Sequence, residues 1–208
     1  MNTTIPPWAL TLLALNLTPA FAGSTVELGV TGLITPQACN VLLSDSGLID
    51  FGKIPARLLN QSEVTLLPSQ QMGLSINCEG PTLFALVGLD NQPNSSVAPD
   101  VLYGLGMNIH APAERLGSVG LSVRGPVGDG VTLLVISSSD SGSTWHPEPN
   151  AYPKKYMGFA RVDAQQPEPI KQLVASLRVE TAISPANSLT LKEEVPLQGS
   201  ITLDLKYL

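Results

Sequence analysis

Apolar and polar residues alternate strictly along the last nine residues of the chain. The apolar positions fall on one face of an extended segment: Ile201, Leu203, Leu205 and Tyr207. The polar positions fall on the other: Ser200, Thr202, Asp204 and Lys206. Successive side chains of a strand point to opposite sides of its sheet, so this pattern predicts a half-buried terminal β-strand.

A second alternating segment, residues 26–34, lies towards the other end of the chain. Its apolar face carries Val26, Leu28, Val30, Gly32 and Ile34. It leads into Cys39 with no obvious hairpin to pair it. A chain that begins and ends in such strands either closes its own sheet or pairs with another chain.

Strand-length apolar segments separated by turn residues fill the region between the two ends. They are residues 48–54, 64–67, 72–78, 83–89, 101–109, 118–124, 131–137, 157–162, 173–183 and 189–197. Residues 173–181 also show helical spacing, but their alternation favours a strand. Gly104 and Gly106 indicate a bulge or a close backbone approach. The spacing predicts one all-β domain with the architecture of a β-sandwich.

The beginning of the chain has the pattern of an export signal. Residues 9–21 are mostly apolar, and Ala20 and Ala22 provide small residues for a signal peptidase, so we interpret residues 1–22 as a signal peptide. Cleavage there leaves 208 − 22 = 186 residues, enough for one domain. No other segment has the length and apolarity of a transmembrane helix.

The charge balance limits the classes of partner. The net charge is −6 and the charges are scattered, so a basic surface for nucleic acid is not expected. Gly and Pro number 18 each, which is typical of many short strands joined by turns.

Two cysteines in an exported chain predict one disulfide, between Cys39 and Cys78. It would close a loop of about 40 residues and stabilise the fold by roughly 3–4 kcal/mol. Two free buried thiols are the alternative. Neither His110 nor His146 is at ligand spacing from a cysteine, so we expect no metal or cofactor.

Catalytic constellations are sparse in this sequence. No nucleophile elbow, zinc-binding helix motif or phosphate-binding glycine loop accompanies the two histidines. We therefore expect no catalytic residue and no enzymatic activity. A secreted hydrolase stays open as an alternative and would need a histidine within hydrogen-bond reach of a nucleophile.

Residues 138–145 resemble the Asp-box of sialidases and related propellers. In those proteins the box is a hairpin turn remote from catalysis. Here it occurs once, and its residue types predict a turn closed by Asp140 and covered by Trp145. The alternative is a carbohydrate-facing aromatic patch formed by Trp145 with Tyr152 and Tyr156.

The order of these features resembles chaperone–usher pilus subunits. The resembling features are the alternating N-terminal segment, Gly32 seven residues before Cys39, a second cysteine ending a strand, and the penultimate Tyr207. More narrowly, the chain is similar to a bacterial fimbrial-like family of unknown function, DUF1120, often labelled beta-fimbrial subunits. The resembling stretches are residues 30–39, 50–54, 74–78, 104–106, the Asp140 turn and 199–203.

The resemblance implies an incomplete immunoglobulin-like sandwich, of the pilin type, over residues 39–208. Residues 23–38 would form a donor-strand extension, with Val26, Leu28, Val30, Gly32 and Ile34 inserted into a neighbouring subunit. Ile201, Leu203, Leu205 and Tyr207 would line the acceptor edge. Donor-strand pairing gains main-chain hydrogen bonds along the edge and apolar contacts at alternate side chains.

The resemblance therefore implies a structural fimbrial subunit that passes through the periplasm to the cell surface and contributes to adhesion or biofilm. Its expected partners are a periplasmic pilus chaperone, an outer-membrane usher, neighbouring subunits and a host or abiotic surface receptor. The alternative is a self-complete periplasmic or surface carbohydrate-binding module, in which residues 26–34 would pair within their own domain.

Overall fold

A computed structural model describes residues 28–31 and 38–208 of the protein. The chain divides into two compact units, residues 1–34 and residues 35–208. In the first unit, residues 28–31 carry no strand or helix assignment. The predicted signal peptide and the donor positions Val26, Gly32 and Ile34 lie outside the described residues.

Strands and short 3-10 segments make up the regular structure of residues 38–208. The strands are β1 (Cys39–Leu43), β2 (Thr65–Leu66), β3 (Gln70–Thr82), β4 (Phe84–Asp90), β5 (Tyr103–Gly104), β6 (Met107–Asn108), β7 (Ala111–Arg115), β8 (Gly117–Gly128), β9 (Val131–Thr132), β10 (Leu134–Ser138), β11 (His146–Pro147), β12 (Tyr156–Ala160), β13 (Ile170–Ile183) and β14 (Ile201–Tyr207). The 3-10 segments are Ser44–Gly47, Ala56–Leu58, Pro93–Ser95 and Ala186–Ser188.

Two antiparallel sheets form the domain, which confirms the predicted all-β sandwich. One sheet has the order β1-β3-β13-β8-β5, with β2 also pairing with β13 and β9 with β8, and the other has the order β11-β10-β12-β4-β14. A small third sheet pairs β6 with β7. Both large sheets contribute to one hydrophobic core, in which Leu74, Ile76 and Leu86 are almost completely buried.

The long strand β13 shows why alternation outweighed helical spacing. It pairs with β3 on one side and β8 on the other, and Leu177 lies opposite both Met72 and Val123. These three side chains are buried in the core. The period-2 apolar positions therefore share one face of a central strand, and the helical interpretation of residues 173–181 is wrong.

Two segments that the sequence predicts as strands are irregular in the structure. Residues 48–54 and 189–197 have no strand assignment, although both are rich in apolar side chains. Residues 101–109 are extended less than predicted, with only the two-residue strands β5 and β6. A strand needs a hydrogen-bonded neighbour as well as a suitable sequence, and the described residues provide none for these two segments.

Gly104 occupies the close backbone approach that the sequence predicts. Its N–H donates to the Asp90 carboxylate at 2.8 Å, and a Cβ there would overlap Ser95 Oγ and the Gln92 carbonyl oxygen. The Gln92 carbonyl oxygen belongs to the backbone, so a change of side-chain rotamer cannot relieve the clash.

We expect Gly104→Ala to lower the free energy of unfolding by about 3 kcal/mol, as overpacking of a rigid site does. Urea denaturation measures the change. Gly120→Ala is the matched control, because a Cβ at Gly120 would meet neighbours only at ordinary contact distances of 3.5 Å or more. Equal losses in the two variants would contradict the prediction.

Candidate functional site

Each large sheet ends in two edge strands, and the edges that concern the candidate site are β1 in the first sheet and β14 in the second. Among the described residues, β1 pairs with β3 alone, and β14 pairs with β4 alone. Each therefore presents one row of backbone N–H and C=O groups that no strand of residues 38–208 satisfies. The two free edges belong to opposite sheets of the sandwich.

An apolar cleft opens between these edges. Its narrower part, of about 260 Å³, is lined by Leu43 from the β1 side and by Ile201 and Leu203 from β14. The floor consists of inward-facing side chains of the first sheet: Met72, Val119, Leu121, Leu177 and Val179. The cleft therefore reaches the hydrophobic core.

A wider part of about 830 Å³ continues the cleft. It shares Ile49, Phe51 and Leu197 with the narrower part. Its walls are the two apolar segments that failed to form strands, since residues 49–54 line one side and residues 189–197 the other. Leu48, which lines the narrower part, is 71% exposed. The cleft thus has strand-like walls and unpaired edges.

Tyr207, at the end of β14, contacts the start of β1. Its phenol oxygen accepts a hydrogen bond from the backbone N–H of Cys39 at 3.1 Å. Adjacent strands lie about 4.8 Å apart and bond through their backbones. β1 and β14 belong to different sheets, and this contact between them is made through a side chain. The Cys39–Cys78 disulfide, which the structure confirms, fixes β1 to β3 at this end.

The wall formed by residues 189–197 is fastened to the β6–β7 hairpin. The Glu114 carboxylate accepts hydrogen bonds from the Thr190 N–H at 2.6 Å and the Thr190 hydroxyl at 2.7 Å. The Asn108 amide donates to both Glu114 and the Thr190 carbonyl oxygen. These bonds favour the ionised carboxylate and lower the pKa of Glu114, with the Thr190 N–H as the largest cause.

This carboxylate makes stability depend on pH in a definite direction. A folded-state pKa below the unfolded value gives stability that is present above the unfolded pKa and lost as pH falls through the folded pKa. We expect wild-type protein to lose stability more steeply than Glu114→Gln when the pH falls from about 5 to 3. Urea denaturation across that range measures the slopes. Glu63→Gln, at an exposed position, is the control; a Glu114→Gln slope equal to that of wild type would refute the role.

The Asp-box residues form the closed turn that their types predict. The Asp140 carboxylate accepts bonds from the Ser138 hydroxyl at 2.7 Å and from the Thr144 N–H at 2.9 Å. These contacts hold the pKa of Asp140 well below its usual range, with Ser138 as the largest cause. The Trp145 indole N–H donates to the Gly142 carbonyl oxygen at 2.9 Å. The polar atom of the indole is thus used within the turn.

The indole ring packs against strand β12. A Cβ at Gly158 would lie 2.9 Å from Trp145 and 3.0 Å from Pro167, so the missing side chain makes room for the ring. Tyr152 belongs to another cluster, where its hydroxyl contacts Glu148 and Asn150. The turn and its tryptophan therefore act in packing.

We expect Trp145→Ala to lower the free energy of unfolding by about 2 kcal/mol, through lost packing and an exposed sheet surface. His146→Ala, at the adjacent exposed position, should change it by less than about 0.5 kcal/mol. Thermal and urea denaturation measure both. An unchanged stability in Trp145→Ala would leave the packing role without support.

In the described part of the chain, no hydrogen bond joins a histidine side chain to a serine, threonine or cysteine side chain. His110 Nε2 lies 3.2 Å from the Glu194 carbonyl oxygen and 3.7 Å from the Glu193 carboxylate. Within residues 28–31 and 38–208, no cluster of three or more His, Cys, Asp or Glu side chains is placed to hold a metal ion. None of the helices in that same part has the length and apolarity to cross a membrane.

The structure describes all of the predicted acceptor positions and two of the predicted donor positions. Ile201, Leu203, Leu205 and Tyr207 lie on β14, and the first three are half-buried with the core. Of the predicted donor positions, Leu28 and Val30 are described and belong to the unit of residues 1–34. Sequence reasoning missed the cleft walls as a pair and missed the Glu114–Thr190 contact. No local pattern indicates a contact between residues 76 positions apart.

The chain is similar to one protein family and to two proteins of Escherichia coli. The family described as "Protein of unknown function (DUF1120)" matches residues 28–112. The chain is 22% identical to Protein GltF of Escherichia coli K12, over 88% of either chain. It is 23% identical to the uncharacterized protein YhcF of the same organism, over 91% of this chain and 93% of that protein.

Proposed function

We propose that this protein is a structural fimbrial subunit that is exported to the periplasm and assembled on the cell surface by donor-strand complementation. The observation that carries the proposal is the apolar cleft between the free edges of β1 and β14. Its occupant is the segment 26–34 of a second copy or of a neighbouring subunit. Such a role needs no catalytic residue, metal or cofactor.

The unpaired edges support a strand as the occupant. An extended peptide between β1 and β14 would bond with the free backbone groups of either edge, and would join the two sheets. The irregular walls support the same conclusion. Residues 48–54 and 189–197 have strand-like sequences without a partner, and an inserted strand would supply one.

The side-chain pattern of residues 26–34 suits this cleft. Val26, Leu28, Val30 and Ile34 alternate with other residues, so all four would point into the core from one strand face. Each apolar side chain buried in this way is worth about 1.5–3 kcal/mol. Nine residues span roughly 30 Å when extended, a length that covers the seven residues of β14.

Assembly of this kind requires partners that protect the cleft before polymerisation. Exposed edges and apolar surface lead to aggregation. A periplasmic pilus chaperone would cover the cleft in transit. At an outer-membrane usher, the donor strand of the next subunit would replace the chaperone. The finished fimbrium would contribute to adhesion or biofilm.

Complementary lesions in donor and acceptor test the proposal. Val30→Asp places a charge on the donor face and should abolish donation, whereas Thr31→Asp changes the opposite face and should not. Leu203→Asp should abolish acceptance, whereas Thr202→Asp should not. Val30→Asp and Leu203→Asp should each stop the purified chain from forming multimers, because an unpaired charge in an apolar cleft is unfavourable by several kcal/mol.

Mixing the two defective proteins gives the decisive result. Val30→Asp retains a working cleft and Leu203→Asp retains a working donor strand, so the mixture should yield a heterodimer of one copy of each. Size-exclusion chromatography with light scattering measures it, and circular dichroism checks that each variant is folded. Stable monomers of the wild-type chain with residues 26–34 protected from amide exchange would refute the proposal.

A further inference from the structure

One ion pair connects the two walls of the wide part of the cleft. Lys53 Nζ lies 2.7 Å from Glu194 Oε1, and the two residues are 141 positions apart in the chain. Lys53 belongs to the wall of residues 49–54, and Glu194 to the wall of residues 189–197. The contact therefore spans the mouth of the cleft.

Among the described residues, Lys53–Glu194 is the ion pair that crosses the mouth of the cleft. The other charged groups there make different contacts. Asp50 accepts a hydrogen bond from Gly52 N–H on its own wall, at 2.7 Å. Glu193 lies on the opposite wall with Glu194 and faces His110 of the β6–β7 turn. His110 also contacts the Glu194 carbonyl oxygen at 3.2 Å, which steadies the backbone while the carboxylate reaches Lys53.

We propose that the Lys53–Glu194 pair is a latch that holds the two walls of the wide part of the cleft together and slows the insertion of a strand. This inference rests on the proposed function. The two ends of the cleft differ in kind. The Tyr207–Cys39 contact lies beside the disulfide, which ties β1 to β3 covalently. The latch joins two segments that have no strand assignment, residues 49–54 and 189–197.

The exposure of the pair sets its strength. The Lys53 and Glu194 side chains are 89% and 87% exposed. Solvent-exposed pairs of this type are weak and are screened by salt. The latch therefore opens readily and delays insertion by a small factor. A strand that pairs with both walls would displace it.

Peptide capture by the full chain tests the latch. The probe is a fluorescent synthetic peptide of residues 24–35, and each acceptor carries Val30→Asp so that it cannot donate its own strand. Lys53→Glu and Glu194→Lys each turn attraction into repulsion. We expect either change to speed capture by about three- to fivefold, as loss of a weak surface pair allows. Fluorescence anisotropy against time measures the rate.

A charge swap separates the latch from a general effect of charge. The double variant Lys53→Glu with Glu194→Lys restores an attractive pair and should return to the parental rate. Lys192→Glu alters a lysine of the same cavity outside the crossing pair and should leave the rate unchanged. Raising the salt concentration from about 0.05 M to 0.5 M should speed the parental acceptor and slow the single variants, because salt screens the attraction in the first and the repulsion in the others.

The outcomes distinguish the latch from the proposed function. Capture at one rate by all acceptors, or a double variant as fast as the single ones, overturns the latch and leaves strand insertion intact. Failure of every folded acceptor to take up the peptide overturns the proposed function, and the latch with it. Thermal denaturation of each variant establishes that it is folded.

Discussion

Addition of a peptide of residues 24–35 is expected to raise the free energy of unfolding of the Val30→Asp chain by about 4 kcal/mol at a concentration a thousand times the dissociation constant. The peptide would bury its apolar face over Met72, Leu177 and Val179, on the floor of the cleft. It would also pair with the free edges of β1 and β14. A ligand that binds the folded state alone stabilises it in proportion to the logarithm of its concentration.

Urea denaturation at a series of peptide concentrations measures this effect. The matched control is the same peptide with Val30→Asp, which should give no stabilisation at equal concentration. A peptide with Thr31→Asp should act like the parent, because the change lies on the opposite face. Identical unfolding curves with and without the parent peptide would remove the support for strand insertion.

Replacement of both cysteines by alanine is expected to lower the free energy of unfolding by about 4 kcal/mol. Cys39 and Cys78 lie opposite each other in the β1–β3 pair, and their bridge closes a loop that contains the wall of residues 48–54. Without it the unfolded chain gains entropy, and β1 is held by one strand neighbour alone. Peptide capture should weaken as well, because β1 forms one edge of the cleft.

Urea denaturation of the double alanine variant tests the disulfide prediction, and wild-type protein unfolded in reductant is the companion measurement. Both should give the same loss, since each removes the bridge and little else. Alanine is preferable to serine because Cys78 is buried, where a hydroxyl without a partner would add its own penalty. A loss below about 1 kcal/mol would contradict the chain-entropy argument.

The alternation of side chains was sufficient to predict most of the sandwich. Residues 72–78, 173–183 and 201–207 are strands with their apolar faces in or beside the core. The disulfide and the closed Asp140 turn were predictable for a related reason. Each depends on residue types that favour one local geometry or one oxidising compartment.

The cleft was not predictable, because its walls resemble strands in sequence. Residues 48–54 and 189–197 carry the apolar content of strands and become irregular, since no strand of residues 38–208 lies beside them as a hydrogen-bonded neighbour. The contacts that hold the walls in place were not predictable from the sequence for another reason. Glu114 and Thr190, like Lys53 and Glu194, are far apart in the chain and meet only when the sheets have packed.

The sequence by itself determined which residues extend, which face of each strand is apolar and which cysteines are available to pair. These are local properties, set by the two-residue period of a strand and by side-chain chemistry. The tertiary structure decided that β1 and β14 end opposite sheets with a cleft between them. The pairing of distant strands fixes that result, because whether an edge is satisfied or free depends on the neighbours that closure of the sandwich brings to it.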